Sequence, residues 1–144
     1  MSISYTWSFG RCFAQEFKNF DELQQNKILD FIEIYETNGL SMGSLSCYPG
    51  KVTYSWKNLD INDPNYRYTK DNNLWHYHIG LPEYVTRHNK YSTSDWVLHF
   101  QWKEGSSHIS IVDVYSHYTK DGKFYLPPEK YLQVSTDVQP ASID

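Results

Sequence analysis

The sequence predicts an α+β fold, in which a short N-terminal strand and a helical hairpin come before an antiparallel β-sheet. Three observations support this prediction. Residues 2–9 alternate between apolar and polar side chains, residues 11–38 carry apolar side chains at helical spacing, and segments rich in β-branched and aromatic residues follow at 74–80, 95–103 and 108–118. Strands that follow one another through short connections pair antiparallel, and we expect the helices to cover one face of that sheet.

The N-terminal segment has the period-two pattern of a half-buried strand. Serine and threonine occupy the even positions from Ser2 to Ser8, and the odd positions hold Ile3, Tyr5, Trp7 and Phe9. Successive side chains of a strand point to opposite faces, so the four apolar residues share one face. We therefore expect a strand that buries this face and exposes the other.

The next segment changes to helical spacing. Three phenylalanines between residues 13 and 20 lie four and three positions apart, which places them on one helical face. Asp21, with Gln24 three residues later, is a variant of the capping box, and the second helix is expected to end at the Asn38-Gly39 pair. Together these signals predict a helical hairpin.

Residues 40–73 are rich in Gly, Ser, Asn, Asp and Pro and predict few regular elements. One strand is expected at 51–56, and the polar stretch 57–73 is expected to be a long surface loop. Within it, Tyr66, Arg67 and Tyr68 have side chains of the kind that stack on unpaired bases. Tyrosine-rich loops without such a role are common, so both interpretations stay open.

Short turns separate the later strands. Residues 104–107 predict a hairpin turn, a second turn is expected at 119–122, and a short helical segment at 129–133. The polar run 86–94 is expected to separate the strands 74–80 and 95–103. Residues 134–144 lack periodicity, so we expect one domain over 1–133 followed by a frayed tail.

Composition and charge narrow the class of protein. The chain has 144 residues with 13 basic and 17 acidic side chains, a net charge of −4 with neutral histidine. This length favours a single domain, the two cysteines are too few for a disulfide framework, and no apolar run is long enough for a membrane span or a secretion signal. We therefore expect a cytoplasmic protein that does not contact membranes. The acidic balance also removes the simplest sign of nucleic-acid binding, a strongly basic domain.

Sequence motifs for nucleotide binding, a nucleophilic serine or zinc-protease chemistry are absent, which leaves the histidines as candidates. His76 and His78 share one face of the strand 74–80, and three interpretations are open. In the first interpretation they are two ligands of a metal ion, with His99, His117 or Glu83 as the third. Alternatively they belong to a solvated polar face without chemistry, or they form an acid/base or phosphate-contacting pair.

The end of the strand 108–118 is a second place for reactive groups. Asp113 and His117 share one face of that strand, and a polar cluster extends from Asp113 to residue 123. Of the other histidines, His99 is expected to be a partly buried, hydrogen-bonded strand residue. His88 and His108 are expected to be solvated residues in or beside loops.

The order of the elements and the residues of the strands resemble the RelE/ParE toxin superfamily of bacterial toxin–antitoxin modules. The resemblance covers residues 3–132 and rests on the segments 3–9, 27–32, 75–79, 96–102 and 109–114. The LWHYHIG segment and the histidine-rich strands are most similar to the ribosome-dependent, YafO-type branch. Relatives of this type are single-domain mRNA interferases that enter the ribosomal A site, cut the message without a metal or other cofactor, and are blocked by a cognate antitoxin.

The resemblance also implies roles for individual residues. His76 and His78 match positions where relatives place two lysines, His117 matches an arginine or histidine at the end of the fourth strand, and Tyr125 matches a tyrosine that stacks on a base or aids proton transfer. These four are the implied catalytic residues for attack of a ribose 2′-hydroxyl on the adjacent phosphate. The implied RNA contacts come from Arg87, Trp96, Tyr118, Lys120 and Lys123.

The same scaffold allows a function without nuclease activity. The ParE branch acts on DNA gyrase, and an acidic neutralising partner such as an immunity protein is a further alternative. The charge distribution bears on this choice. Residues 74–131 carry six basic and six acidic side chains together with all six histidines, so the excess of acidic side chains lies in residues 1–73 and 132–144. We therefore expect an RNA site that depends on histidine, weakens as pH rises, and needs a large partner for docking.

Overall fold

Seven strands and three helices make up the part of the chain that the computed structural model describes, residues 4–41, 43–80, 85–87, 91–93, 96–119 and 121–133. For 85–87 and 91–93 only the backbone is described. In chain order the elements are β1 (Thr6–Phe9), α1 (Arg11–Phe17), α2 (Glu22–Asn38), β2 (Val52–Tyr54), α3 (Pro64–Asp71), β3 (Leu74–His78), β4 (Val85–Arg87), β5 (Tyr91–Thr93), β6 (Trp96–Gln101) and β7 (His108–Ser116). This mixture confirms the predicted α+β class.

Five strands form one mixed sheet in the order β1-β7-β6-β3-β2. The pairs from β7 to β2 are antiparallel, but β1 runs parallel to β7, with Thr6 opposite His108 and Phe9 opposite Ile111. The prediction of an antiparallel sheet is therefore wrong at this edge. A helical hairpin follows β1 in place of a tight turn, so no local connection sets the direction of its partner strand.

The hairpin formed by α1 and α2 covers one face of this sheet. Helices and strands bury their apolar side chains in one shared core, which includes Phe13, Ile28, Phe31, Tyr35, Trp75, Tyr77, Leu98, Phe100 and Ile111. Removal of such apolar surface from water is the dominant favourable term in folding. The prediction that the helical hairpin packs on one face is confirmed.

The predicted start and end of α2 are also confirmed. Oδ1 of Asp21 accepts a hydrogen bond from the backbone N–H of Gln24 at 2.8 Å, and Oε1 of Gln24 accepts one from the N–H of Asp21 at 3.1 Å. This capping box satisfies two donors that the helix start otherwise leaves without partners. At the other end Gly39 has a φ of 65°, and a Cβ there would lie 2.3 Å from the Tyr5 ring. Only glycine fits this combination of a left-handed backbone and a close aromatic neighbour.

Two predicted connections contain regular structure instead. The polar run 86–94, expected to separate two strands, contains most of the antiparallel pair β4–β5. The stretch 57–73, expected to be a loop, contains α3, which begins with a hydrogen bond from the N–H of Asn65 to Oδ1 of Asp63 at 2.8 Å and has Pro64 in its first turn. An Asp-Pro pair signals either a turn or a helix start. Proline fits the first turn of a helix because the N–H groups there have no acceptor within the helix, so the missing N–H of proline costs no hydrogen bond.

Helix α3 places Tyr68 on the second face of the sheet, away from the helical hairpin. The Tyr68 ring packs against Leu74 and Val112, and its hydroxyl donates a hydrogen bond to the carbonyl of Pro127 at 2.6 Å. The expectation that all helices lie on one face therefore holds for the hairpin but not for α3. These contacts assign Tyr68 to packing and not to base stacking.

The remaining strand predictions are confirmed, since β2, β3, β6 and β7 lie within the segments 51–56, 74–80, 95–103 and 108–118. At the predicted turn 104–107 the N–H of Ser106 donates to the carbonyl of Lys103 at 2.8 Å, and Gly105 has a φ of 91°. The tail 134–144 lies outside the described residues. No helix in the described part of the chain combines the length and the apolar character that crossing a membrane requires.

Candidate functional site: a groove lined by histidines

The sheet face opposite the helical hairpin carries the candidate site. Alternation along β3 turns Trp75 and Tyr77 into the core with the helices, and turns the two histidines to the other side. On β6 the Cα of His99 pairs with that of His76. We call this surface the histidine face and define it by His76, His78, His99, Asp113 and His117.

The structure brings His76, His78 and His117 together. Their ring centroids are separated by 5.9 Å (His76–His78), 5.6 Å (His76–His117) and 5.2 Å (His78–His117), and one ring nitrogen of each lies within 4.8 Å of those of the other two. His117 directly follows the last residue of β7, so its ring reaches across β6 to those of β3. His76 and His78 are only 6% and 7% exposed, so the interpretation as a solvated polar face is wrong.

Two neighbours hold this cluster in place. The buried hydroxyl of Ser55, one residue beyond β2, lies 2.8 Å from Nδ1 of His76. The Phe124 ring packs against His76 and His117 at centroid distances of 5.0 Å and 4.8 Å, and a backbone bridge to Tyr118 secures it. The Ser55 contact also leaves Nε2 of His76 as the nitrogen that is available to the cluster.

Two histidines of the cluster, His76 and His117, are uncharged near neutral pH. Burial, followed by the positive charge of neighbouring histidines and of Lys51, holds the pKa of His76 well below its usual range. Burial, then His78 and Lys51, lower the pKa of His117 to about 4. A neutral imidazole carries one lone pair and one N–H, so it can accept a proton and donate a hydrogen bond. The expectation that protonated histidines supply the positive charge of the site does not agree with this environment.

Lysines supply the positive charge instead. The cluster opens into a groove of about 360 Å³, whose lining includes Lys51 and Lys57, and none of its lining residues in the described part of the chain is acidic. Partial burial and the nearby ammonium group of Lys57 lower the pKa of Lys51. Two cationic groups that repel each other beside polar side chains form a place where an anion is stabilised.

Tyr118 borders the groove. Its side chain is 57% exposed, and its ring lies 4.4 Å from that of His117. Tyr54, the last residue of β2, also belongs to the groove lining, but its ring packs against Trp56 and Trp75 on the other face of the sheet. The groove therefore combines a cationic wall, a cluster of imidazoles and an exposed aromatic ring.

Deeper in the histidine face, His99 and Asp113 are buried. Neither ring nitrogen of His99 has a hydrogen-bond partner, so the expectation of a partly buried, hydrogen-bonded residue is wrong. Burial and the nearby His117 and His78 lower the pKa of His99 to about 3. Burial raises the pKa of Asp113 to about 6, and the Tyr125 hydroxyl donates a hydrogen bond to its carboxyl group. The structure thus places Tyr125 at Asp113 and outside the groove lining.

The other residues with implied roles are spread over the structure. Tyr118 lines the groove, whereas Trp96 packs against the core shared with the helices, and Lys123 is exposed in the turn that follows β7. For Arg87 only the backbone, in β4, is described. The remaining candidates, Lys120 and the residues Glu83 and His88 weighed above, lie outside the described residues.

Sequence reasoning missed the contribution of β2 and its neighbours. Lys51, Thr53 and Ser55 all line the groove, because alternate residues along β2 point to the histidine face. This polar alternation is visible in the sequence, but its meaning depends on the antiparallel pairing of β2 with β3, which puts Thr53 opposite His76. Lys57 continues this alternation beyond β2, whereas Phe124 carries no comparable signal.

His108 belongs to a different part of the molecule. Its ring nitrogens contact the hydroxyl groups of Thr6 at 2.8 Å and Ser8 at 3.3 Å, on the pair β1–β7. It is therefore an exposed histidine with a structural contact outside the groove, in general agreement with the expectation of a solvated residue.

Comparison of the chain with models of protein families, with curated proteins and with solved structures finds no match. The similarity to the RelE/ParE superfamily therefore rests on the sequence pattern alone.

Proposed function

We propose that the groove cleaves phosphodiester bonds of unpaired RNA by proton transfer between histidines and substrate. One observation carries this proposal: three imidazoles, of which those of His76 and His117 are uncharged, share a groove with Lys51 and Lys57, while no carboxylate of the described chain lines it. Cleavage of RNA through its own 2′-hydroxyl needs a base, an acid and a positive charge beside the phosphate. The imidazoles serve as base and acid, and the lysines supply the positive charge.

The reaction balances with these residues alone. One imidazole takes the proton of the 2′-hydroxyl through its lone pair, and the 2′-oxygen attacks the adjacent phosphorus. The first imidazole, now an imidazolium, passes that proton to the lone pair of a second imidazole, which gives it to the 5′-oxygen as the P–O5′ bond breaks, so both imidazoles end neutral. The products are a 2′,3′-cyclic phosphate and a 5′-hydroxyl. His78 and His117, whose rings lie 5.2 Å apart, take these two roles, and His76 donates a hydrogen bond to a phosphate oxygen.

The lysines stabilise the charge that develops on the phosphate. The ammonium groups of Lys51 and Lys57 lie close enough for their repulsion to lower the pKa of Lys51, and an anion between them relieves that repulsion. Hydrogen bonds between an ammonium group and a phosphate oxygen are charge-assisted and stronger than neutral ones. Their contribution grows as negative charge accumulates in the transition state.

The border of the groove favours unpaired nucleotides. Tyr118 presents an exposed ring beside the cluster, and stacking of a base on an aromatic ring contributes about 1–3 kcal/mol. Bases inside a duplex are already stacked on each other and do not offer their faces to a protein. Single-stranded RNA is therefore the substrate class that fits.

The cellular role follows from the resemblance. We propose that the chain is a RelE-like toxin that cuts mRNA on the ribosome in the cytoplasm and is neutralised by a cognate antitoxin. The order of strand, helical hairpin and antiparallel strands supports this assignment. The net charge of −4 also supports docking on a large partner, because the two lysines alone attract RNA only locally.

Expression of the chain in bacterial cells, with mapping of mRNA 5′ ends, tests this function. We expect codon-phased cuts in translated messages and growth arrest, and we expect both to disappear in His117→Ala. His108→Ala, which changes a histidine outside the groove, should behave like the wild type. Intact messages with halted replication would reject the nuclease and favour a gyrase inhibitor. Intact messages with normal growth would favour a neutralising protein.

A further inference from the structure

The histidine cluster also has the composition of a metal centre. We propose that His76, His78 and His117 bind one divalent transition-metal ion of the zinc type through one ring nitrogen each, with a fourth coordination position open to the groove. The three donors come from the two strands that flank β6, two from β3 and one from the residue that follows β7. The proposal goes beyond RNA cleavage, since ion binding needs only the geometry of these side chains.

The distances are compatible with binding after a small adjustment of side chains. The candidate nitrogens lie within 4.8 Å of one another. A tetrahedral ion with Zn–N bonds of about 2.0–2.1 Å holds its ligand nitrogens roughly 3.4 Å apart. The rings therefore need to close by at most about 1.4 Å, which rotation of the side chains provides without movement of the strands.

Two neighbouring groups favour the bound state. The Ser55 hydroxyl lies 2.8 Å from Nδ1 of His76, so when Nε2 binds the ion this hydroxyl is placed to accept the Nδ1–H, as the outer partners of metal-bound histidines usually do. Nδ1 of His117 is buried without any hydrogen-bond partner. An ion at the centre of the cluster gives the imidazole of His117 a polar partner that it otherwise lacks.

The donor set selects the kind of ion. Imidazole nitrogens suit zinc, copper and nickel, whereas magnesium and calcium need oxygen ligands, which these three residues do not offer. Lys51 and Lys57 repel a cation, so an anionic ligand in the fourth position is expected to accompany it.

A bound ion has a consequence that rests on the function proposed above. Each neutral imidazole has a single lone pair, and coordination uses it. Histidines that hold the ion can no longer accept a proton from a 2′-hydroxyl. We therefore expect zinc to suppress RNA cleavage and a chelator to restore it.

Metal binding is tested on the full chain, without RNA. Titration of ZnCl2 followed by calorimetry should give one ion per chain, and CoCl2 should give the visible absorption of tetrahedral cobalt. His76→Ala, His78→Ala and His117→Ala should each weaken binding by roughly a hundredfold or more, and Ser55→Ala by about 10–100-fold. His108→Ala is the matched control and should bind like the wild type.

Circular dichroism keeps the result interpretable, because a variant counts only if its spectrum matches that of the wild type. Where an alanine variant fails to fold, His78→Gln replaces it. Absence of zinc binding by the wild type, or binding that persists in a folded His76→Ala/His117→Ala variant, would overturn the proposed site. Equal affinity for MgCl2 and ZnCl2 would also overturn it.

A second assay separates the site from the nuclease. Ribosomes programmed with mRNA are incubated with the protein, with and without one equivalent of ZnCl2, and then with a chelator. Cleavage that zinc suppresses and the chelator restores supports the regulatory role. Cleavage that zinc leaves unchanged, or that requires zinc, overturns it. Loss of all cleavage with intact zinc binding rejects the proposed function and leaves the metal site standing.

Discussion

The hydroxyl oxygen of Ser55 lies 2.8 Å from Nδ1 of His76, and both side chains are buried. This contact joins the end of β2 to the middle of β3 and sets the orientation of one histidine in the cluster. A buried hydrogen bond of this kind orients a catalytic or ligating imidazole more firmly than packing alone. It connects the stability of the groove with its chemistry.

Removal of that hydroxyl should destabilise the fold. Ser55→Ala leaves Nδ1 of His76 without its buried partner, and we expect the free energy of unfolding to fall by about 1–3 kcal/mol. Urea denaturation followed by tryptophan fluorescence measures the change. Ser46→Ala, at an exposed position, should stay within about 0.5 kcal/mol of the wild type. Equal effects of the two substitutions would show that the contact contributes nothing.

The exposed lysine of the groove should bind RNA phosphate. Lys57→Ala is expected to weaken binding of a single-stranded RNA and to reduce the slope of log K against log salt by about 0.7, the value for one lost phosphate contact. Fluorescence anisotropy across a series of salt concentrations gives both quantities. Lys18→Ala, exposed at the end of α1, serves as the control and should leave the slope unchanged. An unaltered slope in Lys57→Ala would place the phosphate elsewhere.

The Tyr118 ring should act as a stacking surface. Because this side chain is 57% exposed, its replacement should not alter stability appreciably. Tyr118→Leu is expected to reduce the affinity for unpaired RNA by about 1–3 kcal/mol, and Tyr118→Phe, which retains the ring, should preserve it. The same anisotropy assay compares the two variants. Similar losses in both would point to the hydroxyl group and not to stacking.

Buried His99 should make the fold sensitive to acid. Its pKa is lowered to about 3, while an unfolded histidine has a pKa of about 6.5, so the unfolded state binds the proton more readily. The contribution of neutral His99 to the free energy of unfolding is therefore fully present above the pKa of the unfolded state, and it is lost as the pH falls towards the pKa of the folded state. At pH 5 this single group should destabilise the fold by about 2 kcal/mol relative to pH 8.

His99→Leu tests that expectation, because leucine has similar bulk and no proton to bind. As the pH is lowered from 8 to 5, the free energy of unfolding of the variant, measured by urea denaturation, should rise by about 2 kcal/mol relative to that of the wild type. The titratable groups around His99 on the histidine face, namely His76, His78, His117, Asp113 and Tyr125, are present in both proteins, so the comparison cancels most of their contribution. A difference between variant and wild type that does not change with pH would contradict the assigned pKa.

Local patterns predicted much of the architecture. The capping pair Asp21 and Gln24 marked the start of α2, and the alternation in residues 74–80 correctly placed His76 and His78 on one face. These features depend on contacts between residues close in sequence, so they can be inferred before the fold is known. The helix α3 was missed because the Asp63-Pro64 pair signals a turn as well as a helix start.

The assembly of the groove was beyond such patterns. Ser55 and His76 are 21 residues apart, and only the pairing of β2 with β3 makes them neighbours. Tyr125 illustrates the reverse case, since similarity placed it among the catalytic residues and the fold directs its hydroxyl to Asp113. Register between distant strands is decided by the packing of the whole core, which no single segment contains.

Periodicity and capping are local properties of the chain, so the α+β class, the helical hairpin and the shared face of His76 and His78 can be predicted from the sequence. It takes the folded protein to show that His117 completes the cluster, that Lys51 and Lys57 supply its charge, and that burial keeps His76 and His117 neutral. Proton affinity depends on desolvation and on nearby charges, and both exist only once distant strands have come together.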